Sequence, residues 1–238
     1  KKINTILAAF GALLMLSVTS ANSLEFKAGV SANGMAAYAN AKEVLKGTVT
    51  STQGGGRESN EEAVLATGFA SAFLEVSSDD AMGIGIGISY APEVADLEKE
   101  TRTIQQAVAE RDTTTQDSGD QVIDGKIQDL VSVYLTMPVG DSAYIKAGYM
   151  QATLITSENL ATGSKYEDID MTGLQVGAGY EGSLGDMAFW RAEGSYQMWE
   201  DLSSSGSESN NGTSDTTKNK ITAEVGSITG TLSIGMKF

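Results

Sequence analysis

Apolar and polar residues alternate with a period of two along most of the chain, which is the pattern of β-strands with two different faces. The clearest example is the segment Met82–Tyr90, in which every second residue is large and apolar and the residues between them are three glycines and a serine. The same alternation predicts eight strands, at residues 24–38, 63–77, 82–90, 127–138, 142–156, 171–182, 186–199 and 228–238.

The connections between these segments are alternately short and long. Short turns are predicted at 77–80, 139–141 and 182–186, and long polar segments at 39–62, 92–126, 157–170 and 200–219. This alternation, with both chain ends on the short-turn side, is typical of a β-barrel that crosses a membrane. The predicted fold class is all-β, an eight-stranded antiparallel up-and-down transmembrane β-barrel.

Residues 92–126 leave alternatives open. Part of the segment could supply two more strands and give a ten-stranded barrel. Its first half also spaces apolar residues helically, so it could form a short surface helix. Alternatively, the strands before and after it extend beyond the membrane as a hairpin. A secreted soluble β-sandwich, whose strands also alternate, is the competing fold for the whole chain.

Charged residues inside the predicted strands indicate which face of each strand meets lipid and which face lies in the interior. A charge on the lipid face near the middle of a membrane costs on the order of 2–4 kcal/mol. We therefore expect the following charges to face the interior and to pair there: Lys27, Lys146, Arg191 and Glu193. An eight-stranded barrel is narrow, so such a network would fill its lumen. The strand at 63–77 is ambiguous, because Glu75 shares a face with Phe69 and Phe73.

The first 23 residues have a different pattern. Lys1 and Lys2 precede an apolar run over residues 6–16, and small polar residues follow it. This is the pattern of a secretory signal peptide, and the run is shorter than the roughly 20 apolar residues of a membrane-spanning helix. We predict a signal peptide at 1–23 and a barrel domain at 24–238, with cleavage after Ser23 or, as an alternative, after Ala21.

Composition narrows the chemistry. The chain of 238 residues has a net charge of −15, and an acidic chain repels nucleic-acid phosphates. It contains no cysteine and no histidine, which removes the commonest metal ligand and the commonest general base. Residues 92–126 are rich in acids but lack the ligand spacing of a calcium loop. We therefore predict no enzyme activity, no cofactor, no metal site and no nucleic-acid partner.

Two regions resemble known proteins. The final stretch, Thr231–Phe238, looks like the C-terminal β-signal of Gram-negative outer-membrane proteins, an alternating strand that ends in phenylalanine. The strand–turn–strand segments 133–149 and 177–193 resemble the opacity-protein and OmpA-like family of small outer-membrane barrels. The resemblance implies that the barrel-assembly machinery recognises the outward residues of the last strand, which are Leu232, Ile234, Met236 and Phe238.

The resemblance also implies a location and a role. It places the chain in the outer membrane of a Gram-negative bacterium, in contact with outer-membrane lipid and lipopolysaccharide. The role expected is structural support or contact with an extracellular partner through the long acidic loops. The alternative function is a narrow porin-like channel for small solutes.

Overall fold

The fold is seen in a computed structural model, which describes residues 24–45, 57–78, 83–105, 118–159, 167–205 and 220–238. The predicted signal peptide at 1–23 lies outside the described residues. In the part of the chain that the structure describes, no helix is long and apolar enough to cross a membrane.

Nine antiparallel strands make up the described structure. Strands β1 to β7 are neighbours in chain order, and β9 lies between β7 and β1 and closes the barrel. The short strand β8 pairs with β9 beyond the end of β7. Eight strands therefore form the barrel wall. The bounds are β1 Leu24–Leu45, β2 Arg57–Ser78, β3 Gly85–Gln105, β4 Ser118–Val139, β5 Ala143–Asn159, β6 Ile169–Leu184, β7 Ala188–Trp199, β8 Leu202–Ser205 and β9 Lys220–Lys237.

The strand register has a fixed stagger. One circuit of the barrel can be followed by moving from each residue to its Cα partner on the next strand. A circuit that starts at Ala28 of β1 returns to β1 at Tyr38, so the register is staggered by ten residues. The residues passed on the way are Leu74, Ile88, Val133, Tyr149, Leu174, Met198 and Gly226. A staggered register tilts the strands against the barrel axis, at roughly 35–45° in typical barrels.

The predicted eight-stranded up-and-down barrel is confirmed, and all of its wall strands except β7 are longer than the alternation predicted. The ten-stranded alternative is wrong, because the described parts of 92–126 extend β3 and β4 and add no strands to the wall. The hairpin interpretation of that segment is the correct one. Two of the tight turns follow strand ends at Val139 and Leu184, where Gly140 and Gly185 adopt positive φ angles that glycine tolerates.

The two ends of the barrel differ. At the short-turn end lie the turns after β4 and β6 and both Leu24 and Phe238. At the opposite, long-strand end, β1 and β2 continue as a paired hairpin to Leu45 and Arg57. Strands β3 and β4 continue in the same way to Gln105 and Ser118.

The outer face of the wall is apolar. Large apolar side chains on it are exposed on nearly every strand, including Phe26, Val30, Leu74, Leu135, Ile145, Leu174, Val176, Trp190, Ile228, Leu232 and Ile234. The ambiguous strand is resolved by the structure. Phe73 and Glu75 are both buried and Leu74 is exposed, so Glu75 shares the lumen face with the phenylalanines.

The lumen is filled in three layers, from the short-turn end to the long-strand end. Ion pairs come first, a layer of hydroxyl and amide side chains follows, and an apolar layer completes the filling. Two apolar clusters, one around Met35 and Val94 and the other around Met171 and Leu202, share Ile127 and Leu130. The apolar layer therefore spans the barrel interior at the long-strand end.

Lumen-facing glycines make room for aromatic rings in the ion-pair layer. A Cβ atom on Gly29 would lie 2.6 Å from the ring of Phe73, and one on Gly235 would lie 2.5 Å from the ring of Phe189. Gly87 and Gly179 accommodate the rings of Tyr134 and Tyr144 in the same way. Each glycine thus allows a large ring to occupy a narrow lumen.

We predict that Gly29→Ala destabilises the barrel and that Gly34→Ala on the same strand does not. The new methyl group at position 29 would lie 2.5 Å from the carbonyl oxygen of Ile234. This oxygen belongs to the backbone of a paired strand and cannot move aside. The expected loss in free energy of unfolding is on the order of 1–3 kcal/mol. A Cβ at Gly34 meets nothing within 4 Å. Urea unfolding in lipid vesicles measures both, and equal stability of the two variants would contradict the prediction.

Candidate functional site: the charged lumen

The four residues predicted to form a lumen network all face the lumen, and they divide into two groups. Lys146 and Glu193 form one ion pair, with Nζ to Oε1 at 2.9 Å. Lys27 and Arg191 belong to a second, larger group, in which their partners are carboxylates that the sequence analysis did not select. In the structure these four residues thus belong to ion pairs that include four further charges.

Arg191 is the centre of the larger group. Its two terminal nitrogens donate to the two oxygens of Glu75, at 2.8 and 2.6 Å, and Nε donates to Glu181 Oε2 at 2.8 Å. The planar guanidinium suits such a bidentate carboxylate bond, which a lysine could not reproduce. The Glu75 side chain is 1% exposed, so this pair is the most deeply buried charge in the group.

Two lysines complete the larger group at the short-turn end. Lys27 Nζ lies 3.2 Å from Glu181, 3.1 Å from Glu25 and 3.9 Å from Glu75. Lys237 Nζ lies 2.7 Å from Glu181 and 4.0 Å from Glu25. Glu181 therefore accepts from three cations on three strands, and it joins β1, β7 and β9 across the lumen.

Aromatic rings surround the guanidinium of Arg191. Its central carbon lies 5.1 to 5.4 Å from the ring centroids of Phe73, Tyr144 and Phe189. Cation–π attraction of this kind is worth about 0.5–2 kcal/mol, more when water is excluded. The rings therefore stabilise the charge and fill the space between the carboxylates and the wall.

The smaller group is also fully engaged. Glu193 accepts hydrogen bonds from Lys146 at 2.9 Å and from the Tyr144 hydroxyl at 3.0 Å. The Lys146 ammonium lies 4.2 Å from the ring centroid of Tyr134. A carboxylate held by two donors is poorly placed to act as a general base, which needs access to a substrate proton.

The charges of the network balance. Four carboxylates (Glu25, Glu75, Glu181 and Glu193) face four cations (Lys27, Lys146, Arg191 and Lys237). Since buried charges are tolerated only when paired, this balance accounts for the deeply buried members Glu75 and Arg191, whose side chains are 1% and 8% exposed. The network can close the lumen and bind the strands together.

Four members of the network were not among the predicted lumen charges: Glu25, Glu75, Glu181 and Lys237. One signal could have found them, since each is a charge in a strand whose alternate residues are apolar, and the lipid face does not tolerate charges. The face of Glu75 was left ambiguous because two phenylalanines share it. An aromatic side chain, however, can face the lumen as well as the lipid. The sequence therefore shows that these charges lie in strands, but only the fold shows which of them form pairs.

Next to the network, a polar layer surrounds a cavity of about 70 Å³. Asn33 links β2 and β9, because its amide donates to Ser71 Oγ at 3.0 Å and its carbonyl accepts from Thr231 Oγ1 at 2.9 Å. Gln175 donates to Ser132, and Ser31 and Ser233 share a bond of 2.8 Å. A polar cavity of this size holds a few water molecules.

The residues expected to form an assembly signal lie on the outer face of β9. Leu232, Ile234, Met236 and Phe238 are all exposed, Phe238 at 72%. Backbone hydrogen bonds join Phe238 to Phe26 of β1, at 2.9 and 3.3 Å. The C-terminal strand therefore closes the barrel while presenting a continuous apolar row outward. Its recognition by assembly factors stays a prediction.

Among the residues that the structure describes, no group of three or more histidine, cysteine, aspartate or glutamate side chains is arranged to hold a metal ion. The described lumen instead pairs its carboxylates with cationic side chains. The chain has the fold of a small transmembrane β-barrel.

Known proteins that resemble the chain are found among solved structures. No family model matches the chain, and no curated protein matches it. Similar solved structures include the outer membrane protein OprG from Pseudomonas aeruginosa, with 14% identity over 91% of this chain and 97% of that one and a TM-score of 0.47. The outer membrane protease OmpT from Escherichia coli has 13% identity, coverage of 92% and 100%, and a TM-score of 0.43.

A third similar structure is Ail, the attachment invasion locus protein of Yersinia pestis. It has 15% identity over 88% of this chain and 99% of that one, with a TM-score of 0.32. These identities are too low to carry a role over to this chain.

We predict that Arg191→Met lowers the free energy of unfolding by about 3–5 kcal/mol, because it leaves buried carboxylates without their main partner. The matched control is Lys126→Met, which removes an ion pair with Asp96 whose side chains are 49% and 58% exposed. Such an exposed pair is worth at most about 1 kcal/mol. Adding Glu75→Leu to Arg191→Met should recover part of the loss. Denaturant unfolding measures all three, and a wild-type midpoint for Arg191→Met would refute this account of the network.

Proposed function

We propose that the chain is an integral outer-membrane β-barrel protein of a Gram-negative bacterium. Its role is structural support and surface interaction: the barrel anchors a protruding, acidic, long-strand end that contacts an extracellular partner. The observation that carries the proposal is the combination of an apolar outer face with a wall closed between β1 and β9. Lipid tolerates β-structure only in closed barrels, because every backbone group must be paired.

Strand lengths support a protruding end. A tilted strand crosses the hydrocarbon core in about 9–11 residues. Strand β7, with 12 residues, is little longer than that, whereas β1, β2 and β4 have 22 each. The surplus lies at the long-strand end, opposite the tight turns. Short turns on the periplasmic side and long connections outside are the usual arrangement in outer-membrane barrels.

Aromatic side chains support the placement of the bilayer. The Tyr38 and Tyr196 hydroxyls share a hydrogen bond of 2.9 Å on the outer face towards the long-strand end. Near the short-turn end, the rings of Tyr180 and Trp190 lie 5.9 Å apart. Aromatic residues form girdles at both interfaces of outer-membrane barrels, so the apolar band between these pairs is where we place the hydrocarbon core.

The contents of the lumen favour a role without catalysis or bulk transport. The interior is occupied by the ion-pair network, the polar layer and the apolar clusters. Eight-stranded barrels have interiors just wide enough for side chains to fill, whereas aqueous porin channels need 16–18 strands. The partners proposed are outer-membrane lipid and lipopolysaccharide, the barrel-assembly machinery and an extracellular partner.

Cysteine labelling tests the location and the orientation, because the chain has no native cysteine. Asn60 is exposed at the long-strand end and Asp141 is exposed in the turn after β4. We expect a membrane-impermeant maleimide to label Asn60→Cys in intact cells and Asp141→Cys only after lysis. Labelling of both sites in intact cells, or recovery of the protein in the soluble periplasmic fraction, would contradict the proposal.

Removal of Phe238 tests the assembly signal. Phe238 is the outermost residue of the row on β9 and is bonded through its backbone to Phe26. We expect its deletion to reduce the amount of folded barrel in the outer membrane several-fold, while refolding of the purified protein into detergent stays efficient. Heat-modifiable gel mobility measures the folded fraction in both settings. Normal insertion in cells would show that the residue has no role in assembly.

A further inference from the structure

Strand β2 has one edge that lacks a strand partner over most of its length. Its other side pairs with β1 from Leu24↔Ser78 to Leu45↔Arg57. The pairing with β3, by contrast, runs only from Ser77↔Gly85 to Ala72↔Tyr90. Among the strands that the structure describes, none pairs with this side of β2 beyond Ala72. We call residues 57–71 on this side the β2 free edge.

The backbone groups at the β2 free edge can be identified from the ladder. In an antiparallel strand, residues alternate in the side to which their N–H and C=O groups point. Ser78 N donates to Ile84 O at 3.2 Å, so the even-numbered residues of β2 point towards β3. Those at the free edge are Glu58, Asn60, Glu62, Val64, Ala66, Gly68 and Ala70. The ladder with β1 uses the odd-numbered residues, so these groups have no partner strand among those that the structure describes.

Pro92 explains why β3 leaves β2. The next rung after Ala72↔Tyr90 would join Ala70 to residue 92, and a proline has no N–H to donate there. Beyond it, β3 turns towards the lumen. Val94 is buried against Met35, and its carbonyl accepts a hydrogen bond at 3.0 Å from Thr67, whose side chain faces the lumen. Of the strands that the structure describes, none therefore lies beside the β2 free edge in the plane of the wall.

The two edges of this gap are built differently. Proteins block exposed edges with proline, bulges or charges, since an unblocked edge is a template for another strand. The β3 edge has Pro92 and two irregularities in its register with β4. The β2 free edge has no proline, and its register with β1 is regular throughout. Only the β2 edge is therefore suited to take an additional strand.

The charges of residues 57–71 indicate what kind of partner strand would fit the β2 free edge. Residues 57–62 contain three glutamates and one arginine, and residues 63–71 contain no charge. Two copies inserted with the same orientation in one membrane would pair these edges in parallel, which would bring the exposed Glu62 of each copy together and is unfavourable. A partner strand that is basic at one end and apolar at the other complements both parts of the edge.

We propose that the β2 free edge binds an extended, basic peptide segment of a partner protein as an additional β-strand. Main-chain hydrogen bonds would supply the affinity, as in other cases of strand addition, and the glutamates would supply the preference for a basic segment. The inference deepens the proposed contact with an extracellular partner and rests on that function for its biological setting.

Binding is measured with the purified full barrel in lipid nanodiscs. The probe is a 12-residue peptide that alternates lysine with threonine in one half and valine with threonine in the other. We expect Ala66→Pro, which removes one free N–H and none of the bonds to β1, to weaken binding about tenfold, the equivalent of one net hydrogen bond. Ala66→Val is the matched control and should bind as wild type does. Equal affinity of Ala66→Pro and wild type would overturn the proposal.

Charge reversal tests the preference for a basic partner. Glu62→Lys at the edge should weaken binding roughly three- to fivefold, in the range of exposed ion pairs. Glu224→Lys, an exposed change on β9 away from the edge, should leave binding unchanged. A peptide with glutamate in place of lysine should bind more weakly than the basic one. If the acidic peptide binds equally well, the proposed preference for a basic partner is wrong.

Amide hydrogen exchange gives a readout that nonspecific adsorption would not produce. In the free barrel, the N–H groups of Asn60, Glu62 and Val64 should exchange faster than those of Glu61 and Ala63. Saturating peptide should slow the even-numbered amides at least about tenfold and leave the odd-numbered ones unchanged. Equal protection of both sets before peptide is added, or no change after it, would refute strand addition. Since this experiment needs no cell, its outcome is independent of the cysteine-labelling test of location.

Discussion

The pairing of backbone hydrogen-bonding groups in a solvent that offers none is the constraint on which the rest of the structure depends. Each unpaired N–H or C=O in lipid costs several kcal/mol, so an apolar outer face favours strands that pair all the way round the wall, and the β2 free edge is the described place where this pairing is incomplete. Closure is made by β9, which pairs with β1 from Lys27↔Lys237 to Val44↔Lys220 and with β7 on its other side. The stagger of ten residues and the tilt of the strands follow from closing eight strands in this register.

Closure determines what the lumen must contain. Eight strands enclose a space too narrow for an open channel and too wide to leave empty, so side chains fill it. Charges that the lipid face excludes accumulate inside, where they are stable only in pairs. Arg191 satisfies two carboxylates at once, and glycines opposite the aromatic rings make the necessary space. The membrane outside the barrel thus explains which residues fill the lumen, how they pack and how their charges pair.

Much of this arrangement could be predicted from the sequence, for reasons visible at particular residues. Lys27, Lys146, Arg191 and Glu193 are expected in the lumen on sequence grounds, because a charge in an alternating strand has only one tolerable face, and all four lie there in the structure. Glu75 was left ambiguous, because the period of two assigns Phe73 and Glu75 to one face without saying which solvent that face meets. The extension of β3 and β4 through 92–126 also could not be decided, since polar strands outside the membrane lose the apolar half of the pattern.

The sequence by itself determined the strand periodicity and the alternation of connection lengths, because these depend only on neighbours along the chain. The tertiary structure decided which charges pair, since Glu181 meets Lys27 and Arg191 only when their separate strands close into one barrel. It also decided that β2 keeps a free edge. Pro92 can end a ladder only once register places it opposite Ala70, and register across strands is a property of the assembled sheet.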